Sequence, residues 1–161
     1  TLGLVCTLAL VSSGWTWERN AVWRDELTLW QDCVTKSPGK ARPYYNLGMA
    51  FVQEGKFEEA FIQFQKTIDI DPQFSQAYNN MGNIYSQRQD KEQAIRSWER
   101  AIIADPKNPN PYYNIGLALK KKRDFAGALS YFEKYIVVAD KPDPRARYHI
   151  NTLRTMLGKQ H

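Results

Sequence analysis

Histidine and cysteine are scarce: the 161-residue chain has two of each, and one histidine is the last residue. No C-x-x-C pair is present, so neither a disulfide scaffold nor a zinc or redox site is indicated. His149 has no ligand partner close in sequence and is read as structural, so neither a metal site nor a catalytic triad is expected. The chain also lacks a glycine-rich phosphate loop and a G-x-S-x-G elbow. The carboxylate pairs Glu58-Glu59 and Asp69/Asp71 fall on outward helix positions. No catalytic residue, cofactor or metal is therefore expected, and the chain is read as not an enzyme. Charged residues make up 24% and hydrophobic ones 43%, and mean hydropathy is −0.57. These values exclude both a disordered composition and a polytopic membrane protein.

Charge is also absent from the first seventeen residues, and Glu18 is the first ionised side chain. The segment TLGLVCTLALVSS begins without Met and has no basic flank, so it is not an intact signal peptide. Its apolar core is shorter than the roughly 20 residues needed to span a bilayer. Trp15, Trp17 and Trp23 follow it, as an interfacial aromatic belt would. Residues 1–18 are read as the end of a transmembrane helix, which makes membrane association an expectation.

Self-similarity is the strongest signal. YYNLGMAFVQEGKFEEAFIQFQKTIDIDP (44–72), YNNMGNIYSQRQDKEQAIRSWERAIIADP (78–106) and YYNIGLALKKKRDFAGALSYFEKYIVVAD (112–140) align at successive offsets of 34 residues. In this register Leu47, Met81 and Ile115 coincide, as do Gly48, Gly82 and Gly116. Ala60, Ala94 and Ala128 also coincide, then Phe64, Trp98 and Phe132, and Pro72 with Pro106. Small residues on facing helices permit close approach, and the aromatic fills the gap toward the next pair. The proline ends the second helix and sets the following turn. One unit alone leaves an apolar face uncovered, so stacking is what builds a core.

This pattern resembles the tetratricopeptide repeat, whose unit is a helix-turn-helix. The resemblance implies an all-α, right-handed superhelical solenoid with repeats at 41–74, 75–108 and 109–142. A worn unit at 19–40 precedes them, in which Trp30, Cys33 and Pro38 fall in register, as Gly14 does ahead of it, and Cys33 is read as a small buried hydrophobe. The third repeat departs from the pattern: Asp140 replaces the proline, and Pro142 and Pro144 lie beyond it. In 144–158, Ala146, Ile150, Leu153 and either Met156 or Leu157 share one face, so 143–161 is read as a capping helix and tail.

Residues 16–48 carry a second, narrower likeness. Arg19-Asn20, Trp23 to Glu26 and Leu29-Trp30 are similar to the junction in polytopic membrane proteins that join a glycosyltransferase-like transmembrane part to tetratricopeptide repeats. That resemblance implies repeats outside the cytoplasm, with the chemistry elsewhere in a longer chain. The alternative location is the cytoplasm.

The repeat resemblance also implies a concave groove lined by the first helix of each unit. Its positions are Arg42, Tyr45, Asn46, Met49 and Gln53 in the first repeat. The second supplies Gln76, Asn79, Asn80, Asn83 and Gln87, and the third Asn110, Tyr113, Asn114, Leu117 and Lys121. Spacings of three and four keep each set on one helical face. Asn46, Asn80 and Asn114 recur with the period and are similar to the asparagine ladder of the O-linked N-acetylglucosamine transferase groove. An amide both donates and accepts, as binding a peptide backbone requires. The positions of a carboxylate clamp are Tyr45, Met49, Asn80, Asn110 and Asn114, which lack every basic member, so no clamp is expected.

Lys and Arg number 22 against 17 acidic residues, and the excess of five lies in the C-terminal third with the run Lys120 to Arg123. Cations there complement helix C-termini. The expected function is protein–protein interaction through the groove, as a scaffold or substrate-recruiting module. One alternative is the non-catalytic targeting part of a membrane-embedded glycosyltransferase. Nucleic-acid or other anionic binding at the basic third ranks last, because no aromatics interleave with the cations, and no nucleic-acid partner is expected.

Overall fold

The computed structural model describes residues 25–158, and every regular element among them is an α-helix. The readings of the leader at 1–18, of Trp15, Trp17 and Trp23, and of Arg19-Asn20 lie outside these residues. The chain divides into two compact units, residues 1–63 and 64–161.

In the first unit, α1 (Glu26–Lys36) packs on α2 (Ala41–Gln53). The Asp25 carboxylate starts α1 by accepting from the Leu27 N–H at 3.3 Å and the Thr28 hydroxyl at 3.2 Å, which satisfies an otherwise orphaned donor of the first turn. Leu27, Trp30, Cys33 and Val34 share the inward face, as their spacing predicts, but each is only half-buried. Cys33 is thus a half-buried free thiol and not a core residue. On α2, Leu47, Gly48 and Ala50 are buried. α3 (Phe57–Ile70) contains the division between the units.

The second unit continues with α4 (Ser75–Gln87), α5 (Lys91–Ala104), α6 (Asn110–Lys121), α7 (Phe125–Val138) and α8 (Pro144–Gly158). Neighbours in sequence are neighbours in space: α4 packs on α5, α5 on α6, α6 on α7 and α7 on α8. Glycine sets how closely each pair approaches. A Cβ placed on Gly82 would stand 2.5 Å from the Trp98 ring, and one on Gly116 would stand 3.0 Å from Phe132. The repeat aromatic therefore seats on the glycine of its own pair as well as reaching the next. Trp98 clusters with Ala94 and Ile115, and Phe132 with Tyr135, Ala146, Ile150 and Leu153. Each such aromatic contributes about 1.5–3 kcal/mol by leaving water.

Within the second repeat, Ser75 Oγ donates to the Ala101 carbonyl at 2.7 Å and accepts from Asn108 Nδ2 at 2.9 Å. This buried link fastens the start of α4 to the end of α5 and to the turn before α6. At the far end, Leu157 rather than Met156 takes the last inward position of α8, and Met156 is exposed. Arg154 Nη2 meets Glu133 Oε1 at 2.8 Å, holding α8 to α7 at the surface.

The turn inside each repeat is built the same way. Gly55, Gln89 and Arg123, again 34 apart in sequence, have φ of 74°, 64° and 64°. After each, an amide reaches back five residues: Lys56 to Phe51, Asp90 to Tyr85 and Asp124 to Leu119, at 2.9–3.0 Å. That pairing is a Schellman stop, in which the left-handed residue lets the chain close the last helical turn. Asp90 and Asp124 then cap the next helix, accepting from the Gln93 and Gly127 amides at 3.1 and 2.9 Å.

Candidate functional site

The second unit carries a polar groove built from the inward-facing amides of α4 and α6. Two cavities, of about 390 and 660 Å³, share Asn83 and Asn114. The first adds Asn79, Asn80, Asn110 and Tyr113, and the second adds Gln87, Leu117 and Lys121. Ten of the fifteen groove residues read from the sequence lie on α4 and α6, and nine of these line the groove; Gln76 is exposed on α4 and lines neither cavity. The first repeat's five lie on α2, in the other unit. There Arg42 and Gln53 are exposed, Tyr45, Asn46 and Met49 are half-buried, and the Arg42 guanidinium lies 6.0 Å from the Tyr45 ring centre.

The groove amides are oriented by a core residue. Trp98 is 4% exposed, and its Nε1–H donates at 3.2 Å both to the Asn79 carbonyl and to Asn83 Oδ1. An indole can only donate, so the Asn83 atom facing it is the oxygen. Asn114 Nδ2 then donates to that oxygen and to Asn79 Oδ1, each at 3.0 Å. Both Asn114 amide protons are thus committed within the protein. Among the described residues, Asn83 Nδ2 and Asn114 Oδ1 remain for a ligand. Asn79, expected as an outward groove position, is 7% exposed and braces the other two.

Three lining residues are not visible in the repeat pattern. Tyr135, Asp143 and Arg145 close the smaller cavity. Asp143 lies in the turn after α7, where its amide donates to the Tyr135 hydroxyl at 3.0 Å. Its carboxylate takes Arg145 Nη2 at 2.7 Å and Nε at 2.9 Å. The hydrogen bonds from Arg145 hold the Asp143 carboxyl below its usual range and raise the guanidinium in turn. Arg145 supplies a cation beside Asn80, Asn110 and Asn114, where the clamp positions themselves have none. Its salt-bridge geometry commits it to Asp143. The displaced Pro142 and Pro144 are the sequence signal that this turn differs from the others.

Tyr113 forms the aromatic wall, with its ring 5.5 Å edge-on from Phe132 and 5.2 Å from Tyr135. Burial raises its hydroxyl pKa, so it is a neutral donor at ordinary pH. Behind it, His149 stacks on Phe132 at 4.9 Å and its Nδ1 lies 3.1 Å from Lys120 Nζ. The ammonium only donates, so Nδ1 accepts and the imidazole is neutral. Burial, then the Lys120 and Arg145 charges, lower its pKa. This arrangement makes His149 a packing residue. Among the described residues no cluster of His, Cys, Asp or Glu could hold a metal ion, and no helix is long and apolar enough to cross a membrane.

Comparison with known proteins agrees with this architecture. A family model described as TPR repeat matches residues 48–89 and 82–122, and one described as Tetratricopeptide repeat matches 109–138. The chain is similar to Protein O-mannosyl-transferase Tmtc3 of Drosophila melanogaster, at 42% identity over 55 residues. That stretch is 34% of this chain and 6% of the relative, so the chain spans a small part of that protein. Among solved structures, YrrB, titled a TPR protein with an unusual peptide-binding site, superposes with a TM-score of 0.71 at 22% identity, covering 81% of this chain and 66% of that one. MamA does so with a TM-score of 0.68 at 21% identity, covering 82% and 77%. The Sgt2 TPR domain from Aspergillus fumigatus gives 0.64 at 21%, covering 74% and 80%. The matched repeats together span 48–138, more than half of the chain, and the all-α fold is shared, so the chain belongs to the tetratricopeptide-repeat family.

Proposed function

We propose that the amide-lined groove of the second unit holds an extended segment of another protein, and that the chain works as a non-catalytic interaction module. The pairing of Asn83 with Asn114 carries this reading. Trp98 fixes their orientation, leaving one outward donor, Asn83 Nδ2, beside one outward acceptor, Asn114 Oδ1. An extended backbone presents C=O and N–H groups in alternation and can satisfy both. Because the amides are already held, little side-chain entropy is lost on binding. The family is one of protein- and peptide-binding repeats, which supports the same reading.

A test is to select binding peptides from a displayed 12-residue library and compare the native chain with Asn83→Ala/Asn114→Ala. Circular dichroism establishes that both are equally helical. Loss of binding in the double variant is the expected result. Binders that the variant retains would remove the groove from consideration.

The likeness to the Drosophila mannosyl-transferase favours a more specific second reading. In it the repeats recruit acceptor proteins for a glycosyltransferase part elsewhere in a longer chain, on the non-cytoplasmic side of a membrane. A chimera of the relative, with its matched 55 residues replaced by those of this chain, should retain mannosyl transfer to its protein acceptors. A chimera that is folded but inactive would count against this reading.

A further inference from the structure

The groove's charge identifies what kind of segment it takes. Of the residues lining the two cavities, Lys91, Lys121 and Arg145 are cationic and Asp143 alone is anionic. Asp143 and Arg145 neutralise each other at 2.7 Å, which leaves the two lysines. They rim the larger cavity, from the first turn of α5 and the last turn of α6, over a floor of Trp98, Ala94, Leu117 and Ala118. Among the described residues no carboxylate pairs with either ammonium. The nearby acids are engaged elsewhere: Asp90 caps α5 through the Gln93 amide at 3.1 Å, and Glu92 turns to Lys122 at 3.8 Å.

We propose, building on the groove reading above, that this end of the groove selects a protein segment in which an acidic side chain lies beside an aliphatic one. The aliphatic side chain enters the floor between Trp98 and Leu117. The Asp or Glu carboxylate meets Lys91 and Lys121, while the neighbouring backbone pairs with Asn83 and Asn114. Ammonium groups on flexible stems accommodate either carboxylate, since they act as point charges without the fixed fork of arginine. A cavity with an apolar floor and two cations suits a peptide better than a nucleic acid, because phosphate tracking needs a row of cations and open aromatic faces. Trp98, the aromatic on that floor, is buried.

The test uses the full 161-residue chain and the selected library peptides. Enrichment of Asp or Glu next to Leu, Ile or Val is expected. Lys91→Glu/Lys121→Glu should weaken an acidic binder on the order of tenfold at moderate salt and improve binding of the same peptide with Lys in place of the acid. Both substitutions are on exposed positions, and a melting curve checks that the fold is intact. Binders without acidic enrichment, lost in Asn83→Ala/Asn114→Ala, would overturn the acidic anchor and leave the groove reading standing. An absence of binders, or binders indifferent to the asparagines, would overturn the groove reading and the anchor with it. Preference for a phosphoserine peptide or an oligouridylate over the acidic peptide would overturn the choice of partner.

Discussion

Gly82 stands where any side chain would collide with the Trp98 ring, 2.5 Å from an added Cβ. That ring cannot yield freely, because its Nε1 is held by the Asn79 carbonyl and Asn83 Oδ1. Gly82→Ala should therefore cost about 1–3 kcal/mol by overpacking, measured by urea denaturation. Gly116→Ala, with the nearest atom at 3.0 Å, should cost less. Trp98→Phe keeps most of the buried ring but removes the donor, and should cost about 1 kcal/mol. It should also weaken groove binding by releasing Asn83 and Asn114 from their fixed orientation; an unchanged affinity would separate the amide geometry from the indole. The glycine and aromatic positions are legible in the sequence because the repeat brings them into register. The spending of both Asn114 protons on Asn79 and Asn83 is not, since it depends on two residues more than thirty positions away meeting across a groove.

The turn within each repeat shows how an element can be right in outline and hidden in detail. Gly55 signals a left-handed residue, but its equivalents are Gln89 and Arg123, which give no such signal and adopt the same positive φ. A non-glycine residue is strained there. Gln89→Gly and Arg123→Gly should each stabilise the fold by about 0.5–1 kcal/mol, read as a higher melting temperature. Helix α8 carries the one histidine among the described residues, His149, stacked on Phe132 of α7. Its pKa is depressed in the folded state by burial and by Lys120. Neutral imidazole is therefore the form the fold favours: the stability is present above the ordinary value of 6.5 and is lost as pH falls below it. The melting temperature should decline between neutral and mildly acid pH, and His149→Phe should flatten that decline. The inward face of α8 was legible from its spacing. The turn before it was not, because Asp143 and Arg145 break the repeat's proline register and only the fold returns them to the groove.

At the scale of the molecule, the helices from α4 to α8 pack in succession, each on its neighbour in sequence, so stability is close to a sum of local interfaces. Removing α8 should uncover Phe132 and Tyr135 and lose the burial of Ile150 and Leu153, on the order of 3–6 kcal/mol. A chain ending at Lys141 should then melt far below the native one; equal melting would mean that α8 adds little to the core. The same locality makes the period of 34 so legible, whereas a binding surface collected from several helices is only partly so. The bond from Trp98 to Asn83 also ties a chromophore of the core to the floor of the groove. Of the two tryptophans among the described residues, Trp30 and Trp98, it is the one whose indole proton is shared with a groove amide. With Trp15, Trp17, Trp23 and Trp30 replaced by phenylalanine, its emission would report occupancy directly, and the protein would serve as its own fluorescent sensor.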